Sequence, residues 1–221
     1  LGDVYKRQGV DGEIVKQCSD ETCPEENILE LANGCICCTV ADDFVPTMQK
    51  LINGKYLPEH ILIETSGLAL PKPLLKAFEW PEIRSKLTVD SVLAVVDAEA
   101  VVNGVFAPQM SGETEKRQKE TYVEHETPLS EVFEDQINCS DIVLLTKQDL
   151  VKNPSIARDI ITKEMERKVP ILEVQSGDIE ADLILGISAA AETDLENRKS
   201  HHDGFDDHEH DDFETFNVSI P

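Results

Sequence analysis

The clearest chemical signal in this 221-residue chain is a group of three cysteines that closely follow a glycine. Cys35, Cys37 and Cys38 follow Gly34, whose backbone is free to curl so that neighbouring thiols converge on one ion. Thiolates suit Zn2+, Co2+ and other borderline or soft metals, and two or three of them leave a coordination position open for metal transfer. Buried cysteines or a redox pair are the alternatives, but such dense clustering favours a metal site.

A second group of residues has the pattern of a nucleotide-switch region. The apolar residues 61–63 run directly into Glu64, and Ser66 and Gly67 follow. This order puts a carboxylate at the end of a strand, and a glycine where a γ-phosphate could approach a backbone N–H. Spacing alone also fits an ordinary junction between a strand and a turn.

A third group follows another apolar run and resembles the guanine-specificity motif N/T-K-x-D of GTPases. Thr146, Lys147 and Asp149 occupy the three defined positions of that motif. In the motif the carboxylate pairs with the N–H donors of the base, and the stem of the lysine packs on the ring. The alternative is an exposed helix start capped by Asp149. Ser176 follows a later apolar run, where backbone groups could close over the base.

The elements that must position these residues alternate along the chain. Runs rich in Val, Ile and Leu predict strands buried on both faces, at residues 61–64, 91–96, 142–145 and 169–174. Apolar spacing near three and four predicts helices at residues 43–52, 74–83, 129–137 and 155–168. This alternation predicts an α/β fold with a mostly parallel, doubly wound sheet, whose ligands bind beyond the carboxyl ends of the strands.

Composition excludes several classes of partner. Acidic residues number 44 against 20 basic ones, a formal net charge of −24, so nucleic acids and anionic membrane surfaces are disfavoured and cations are favoured. No apolar stretch is long enough to span a membrane, and no basic start followed by an apolar run indicates secretion. We therefore expect a cytoplasmic protein, and the oligomeric state is left open.

Both ends of the chain differ from its middle. Residues 1–8 match no recognisable pattern and are predicted to be a non-native leader, and residues 9–190 are predicted to form the main domain. Residues 191–212 are polar, acidic and rich in histidine, which predicts a solvated linker that acts as a tether, a loose metal store, or both. Residues 213–221 alternate like the first strand of a second, truncated domain.

Four segments together resemble the CobW family of metal-handling GTPases. They are residues 30–40 around the cysteines, the Glu-Thr-Ser-Gly-Leu-Ala-Leu-Pro of 64–71, the Val-Asp-Ala of 96–98 and the Thr-Lys-Gln-Asp of 146–149. Within the family, residues 125–136 and the His/Asp-rich linker are most similar to the members associated with cobalamin biosynthesis. The resemblance implies a P-loop GTPase of the SIMIBI class that binds a divalent metal together with Mg-GTP and delivers it when GTP is hydrolysed.

The resemblance also implies roles for individual residues. Cys35, Cys37 and Cys38 would supply the metal thiolates, and Asp11 would assist magnesium or metal coordination. Glu64 would stand near magnesium and the attacking water. Thr146, Lys147 and Asp149 would read guanine. Ser66, Gly67 and Ser176 are candidate nucleotide contacts because of their positions after apolar runs, independently of the resemblance. The cargo would be cobalt for cobalamin biosynthesis or else zinc, and the acceptor a cobaltochelatase or a zinc enzyme.

One expected feature of the family is missing from the sequence. The chain contains no G-x-x-x-x-G-K-S/T, the loop whose backbone N–H groups cradle the phosphates. We therefore expect a GTPase domain without its first strand and helix, truncated at both ends, in which GTP hydrolysis belongs to the full-length parent. A metal-binding module without catalysis is the alternative for this chain.

Overall fold

Three parallel strands form the sheet that positions the candidate site. The computed structural model describes residues 44–54, 58–65, 67, 69–104, 129–201 and 203. The strands are β1 Leu93–Asp97, β2 Ile142–Thr146 and β3 Ile171–Glu173, in the order β1-β2-β3. Asp97 is in register with Thr146, so the carboxyl ends of β1 and β2 lie side by side. The predicted α/β fold with a parallel sheet is confirmed.

Six α-helices accompany the described sheet. They are α1 Val45–Ile52, α2 Pro71–Ala77, α3 Pro81–Arg84, α4 Ala98–Val102, α5 Leu129–Cys139 and α6 Pro154–Glu164. Short 3-10 helices span Gln148–Leu150, Ala181–Leu183, Ala191–Thr193 and Leu195–Asn197. The single helix predicted for residues 74–83 is two helices, because Trp80 precedes a proline and is therefore extended, with a ψ of 139°. None of the described helices is long and apolar enough to cross a membrane.

The two faces of β2 belong to two separate apolar clusters. Val143 and Leu145 pack against α4, α5 and α6, whereas Ile142 and Leu144 pack with Val174 on the other face. The prediction of burial on both faces is therefore correct for the central strand. It is wrong for β1, where the side chain of Val95 is 70% exposed.

Residues 61–64 do not form the predicted strand. Ile61 and Ile63 pack on the cluster of α1, α2 and α3, while Leu62 between them is 87% exposed. The apolar alternation is real, but the segment does not join β1, β2 or β3. A strand needs a pairing partner as well as a pattern, so this segment remains irregular.

Residues 191–201 form a strap that packs on the domain. Ala191 is fully buried against Leu75 and Cys139, and both oxygens of the Glu192 carboxylate accept hydrogen bonds, at 2.6 Å from Thr88 Oγ1 and 3.1 Å from the Val89 N–H. The first part of the predicted solvated linker is therefore held in place. The domain boundaries stay predictions, and residues 1–8, 204–212 and 213–221 lie outside the described residues.

Candidate functional site

The residues predicted to read guanine lie at the carboxyl end of the central strand. Thr146 is the last residue of β2, and its Oγ1 donates to the Val96 carbonyl oxygen at 3.0 Å, which fixes this hydroxyl on the neighbouring strand. Lys147 then takes the left-handed conformation, with a φ of 53°, and a 3-10 helix that contains Asp149 follows. The carboxylate of Asp149 is exposed and open to a ligand above the strand ends.

An ion pair joins the ends of β1 and β2 beside these residues. Lys147 Nζ donates to Asp97 Oδ2 at 2.6 Å, while Asp97 Oδ1 accepts from the backbone N–H groups of Glu99 and Ala100 and so caps α4. Burial alone would raise the pKa of Asp97, but the Lys147 hydrogen bond and the backbone donors outweigh it and lower the pKa. The hydrogen bond to Asp97 in turn raises the pKa of Lys147. The lysine is therefore charged and held in place.

The segment with the predicted switch residues is supported by α5. Glu64 and Gly67 are exposed, and Gln136 Nε2 donates to the carbonyl oxygens of Gly67 and Ala69, at 3.0 Å each. Gln136 is 69 residues from Gly67 and 67 residues from Ala69 in sequence, so the segment that leads into α2 is fixed by a distant helix. Glu64 and Gly67 lie in the segment that precedes α2.

A tight turn follows β3 at the predicted position of Ser176. Gln175 and Asp178 form an isolated antiparallel bridge, and both residues between them have positive φ, 53° for Ser176 and 77° for Gly177. The glycine accepts this conformation without strain. Ser176 is exposed in the turn after β3, which is the neighbour of β2 in the sheet. The predicted contact to a base would require this exposure.

The predicted metal ligands lie outside the described residues. This applies to Cys35, Cys37, Cys38 and Asp11, and also to the predicted nucleotide contact Ser66. Among the residues with described positions, no group of three or more His, Cys, Asp or Glu side chains is arranged to hold a metal ion. Cys139 is free and buried, and burial raises its pKa to about 11, so this thiol stays protonated and is a poor metal ligand.

Two residues that contact the site were not among the predicted site residues. Asp97 is the last residue of β1, so the rule that ligands bind at strand ends could have drawn attention to it. Gln136 lies in the middle of α5, and no sequence pattern indicates its hydrogen bonds to the carbonyl oxygens of Gly67 and Ala69. Both act on predicted site residues, Asp97 on Lys147 and Gln136 on Gly67.

Comparison with protein families matches residues 1–173 to the family described as CobW/HypB/UreG, nucleotide-binding domain. A protein of Sinorhizobium named zinc chaperone CobW is 45% identical over 218 residues, which are 96% of this chain and 62% of the relative. A protein of Pseudomonas aeruginosa with the same name is 45% identical over 200 residues, 88% of this chain and 53% of the relative. The chain therefore spans little more than half of these relatives.

A more distant relative carries a different name. The zinc-regulated GTPase metalloprotein activator 1 of Dictyostelium discoideum is 28% identical over 138 residues, which are 59% of this chain and 28% of the relative. No solved structure matches the chain significantly.

Proposed function

Because the chain belongs to the CobW/HypB/UreG nucleotide-binding domain family, we propose that it is the nucleotide-binding part of a GTP-dependent metal chaperone. The observation that carries this proposal is the placement of Thr146, Lys147 and Asp149 directly after the central strand of a parallel sheet. Ligands of such sheets bind beyond the carboxyl ends of the strands. The ion pair with Asp97 holds Lys147 at that edge.

The donors and acceptors at this edge fit a guanine base. The exposed Asp149 carboxylate is an acceptor for two N–H donors of the base. The side chain of Lys147 is 58% exposed, so its methylene stem is free to pack on a ring while its ammonium stays on Asp97. Ser176 would approach the base from the turn after β3. The proposed contacts to the base therefore come from four residues, Thr146, Lys147, Asp149 and Ser176.

The phosphate end of the nucleotide is assigned to the loop before α2. Ser66 and Gly67 would lie at the phosphates, and the exposed Glu64 would stand beside Mg2+ and the water that attacks GTP. Carboxylate oxygen is the ligand type that Mg2+ prefers, so Glu64 fits this role, with Asp11 as a further candidate. The 221 residues contain no G-x-x-x-x-G-K-S/T segment, so hydrolysis is proposed only for a protein that also supplies one.

The metal is the cargo of the proposed activity. Cys35, Cys37 and Cys38 would bind it as thiolates and release it to an acceptor when GTP is hydrolysed. The names of the 45% identical relatives favour zinc as the cargo, and the acceptor would then be a zinc enzyme. Cobalt for cobalamin biosynthesis, with a cobaltochelatase as acceptor, is the second candidate, because the same thiolates bind both ions and residues 125–136 resemble the cobalamin-associated members.

The test is a titration of Co2+ into the reduced chain under buffered metal, with and without Mg-GTP, followed by absorption. Thiolate ligation gives sulfur-to-cobalt charge-transfer bands, and their loss when zinc is added under buffered metal shows that the two ions share the site. Zinc outcompetes cobalt at most thiolate sites, so the order of affinity does not decide the cargo. The double variant Cys37→Ser, Cys38→Ser is expected to lose these bands. Cys139→Ala is the matched control, since that buried thiol lies outside the proposed site and should leave the bands intact.

Each outcome decides between the proposals. Bands that strengthen with Mg-GTP support the nucleotide-gated chaperone. Bands that do not change with Mg-GTP indicate that this chain is a metal-binding module without catalysis, and they leave the GTPase role to a protein that supplies the phosphate-binding loop. Bands that survive in the double variant contradict the assignment of Cys37 and Cys38.

A further inference from the structure

The strap packs against two helices, α2 and α5. Its residues Ala191 and Leu195 lie in one apolar cluster with Leu75 of α2 and Cys139 of α5, and Ala191 is fully buried there. Burial of this apolar surface is favourable only while the strap and both helices stay together. The strap therefore stabilises the contact between two helices that are far apart in sequence.

Polar contacts extend this packing toward the middle of α5. Arg198 donates to the Cys139 carbonyl oxygen at the end of the helix. One turn earlier, Asp135 accepts from Ser200 Oγ at 2.7 Å and from the His201 backbone N–H at 2.9 Å. Asp135 is only 2% exposed, and a buried carboxylate needs donors of this kind. The strap thus follows α5 from its last residue back to its middle.

The chain just beyond the strap contacts the first turn of α2. The side chain of Lys72, the second residue of α2, is 12% exposed, and its Nζ donates to Asp203 Oδ1 at 2.5 Å. Asp203 Oδ2 accepts from the Ser200 N–H at 3.0 Å, and the Asp203 N–H donates to the Ser200 carbonyl oxygen at 3.0 Å, so a closed turn presents this carboxylate. A largely buried ammonium needs such a partner, so the turn is held on α2.

Both helices are attached to the segment before α2 close to these contacts. Gln136, the neighbour of Asp135 on α5, donates to the carbonyl oxygens of Gly67 and Ala69. At its other end the segment continues into the first turn of α2, where Lys72 lies. The strap and the turn after it therefore hold α5 and α2 at the places from which the segment is positioned.

We propose that the strap is a latch on the segment before α2. While the strap is in place, α2 and α5 are held together and the segment keeps its position; displacement of the strap loosens the segment. By linkage, a ligand that orders the segment must favour the strap in place by the same factor. The regulatory meaning of the latch, a strap that responds to Mg-GTP, rests on the proposed function, whereas the coupling itself requires no nucleotide.

Amide hydrogen exchange of the full chain without nucleotide, followed by mass spectrometry of its peptides, measures this coupling. The double variant Ser200→Ala, Asp203→Ala removes contacts of the strap end. It should speed exchange in residues 195–203 by about tenfold, which corresponds to the loss of one hydrogen bond to a charged group. Exchange in residues 60–70 should rise by at least about threefold, although both substitutions lie outside this range. Asp203→Asn, which keeps the size of the side chain, replaces the double variant if circular dichroism shows that the latter is unfolded.

Lys199→Ala is the matched control. Lys199 belongs to the same strap, but its ammonium pairs with Glu166 at an exposed site, where such pairs contribute little. It should leave exchange in residues 60–70 within about twofold of the wild type. The reverse experiment is Gln136→Ala, which should speed exchange in residues 195–203 because coupling is reciprocal.

The outcomes separate this proposal from the proposed function. Faster exchange in the strap with unchanged exchange in residues 60–70 would overturn the latch, and so would unchanged exchange in both. An equal response to Lys199→Ala would also overturn it, since the effect would then be a general loss of stability. Coupled exchange that does not respond to added Mg-GTP supports the latch and counts against nucleotide binding by this chain.

Discussion

Replacing Arg198 by methionine is expected to destabilise the domain, because this side chain ties the strap to the sheet. Arg198 is 1% exposed and donates to the Cys139 carbonyl oxygen and, at 2.5 Å, to Asp141 Oδ1. Asp141 also accepts from Arg167 at 3.3 Å and from the Val92 N–H at 2.9 Å. The guanidinium thus sits at the junction of the strap, the end of α5 and the start of β2.

The expected loss follows from these contacts. Removing one partner of a buried ion pair costs about 3 to 5 kcal/mol, because the other charge is left uncompensated. Asp141 keeps Arg167 and a backbone donor, so we expect about 2 to 3 kcal/mol, a large fraction of the ~5 to 15 kcal/mol that stabilises a domain. Methionine is of similar length and keeps most of the apolar packing of the Arg198 stem.

Urea unfolding of the full chain, followed by circular dichroism and by the fluorescence of the single tryptophan, Trp80, measures this loss. With a slope of about 2 kcal/mol per molar urea, the midpoint should fall by about 1 to 1.5 M. Arg158→Met is the matched control, since Arg158 pairs with Glu173 at an exposed site where such pairs contribute ~0 to 1 kcal/mol. Midpoints of the two variants within about 0.3 M of each other would refute the reasoning.

Two further substitutions test the surroundings of the candidate nucleotide site. Asp97→Asn keeps a good helix cap but loses the ion pair with Lys147. The pKa of Asp97 is lowered from 3.8, so the pair stabilises the wild type above about pH 4, and this contribution disappears as pH falls through the lowered pKa. In urea unfolding from pH 6 to pH 2, the stabilities of the two proteins should therefore converge. A difference in stability that stays constant with pH would contradict this. Gln136→Ala should speed amide hydrogen exchange in the loop of Gly67 and Ala69, and unchanged exchange would show that these hydrogen bonds do not hold it.

The sequence was sufficient for the elements whose signals are local. Residues 142–145 are apolar at every position, as expected of a parallel strand that is buried on both faces, and they form the central strand. The Thr-Lys-Gln-Asp segment was placed after this strand by the same reasoning. The break between α2 and α3 also has a local signal, because Pro81 excludes its predecessor from the helical conformation, and the single helix predicted for residues 74–83 was wrong because it ignored that signal.

The contacts that depend on tertiary structure could not be read in advance. Residues 61–63 have a strand pattern, but pattern does not specify a partner, and Ile61 and Ile63 pack on helices instead. Arg198 stands in a polar, acidic stretch that predicts a solvated linker, and its burial follows only from the position of the Cys139 carbonyl and Asp141. Charged residues are rarely buried without such partners, so the composition of this stretch led to the wrong prediction that Arg198 is solvated.

The middle of α5 connects these observations. Gln136 donates to the loop with the predicted switch residues, Asp135 anchors the strap and Glu134 faces the His201 ring. Successive helical residues are about 100° apart, so Gln136 faces the segment before α2 while Asp135 and Glu134 face the strap. Ile137, fully buried in the main core, fixes the rotation of the helix. The positions of the segment before α2 and of the strap are therefore both set by one helix.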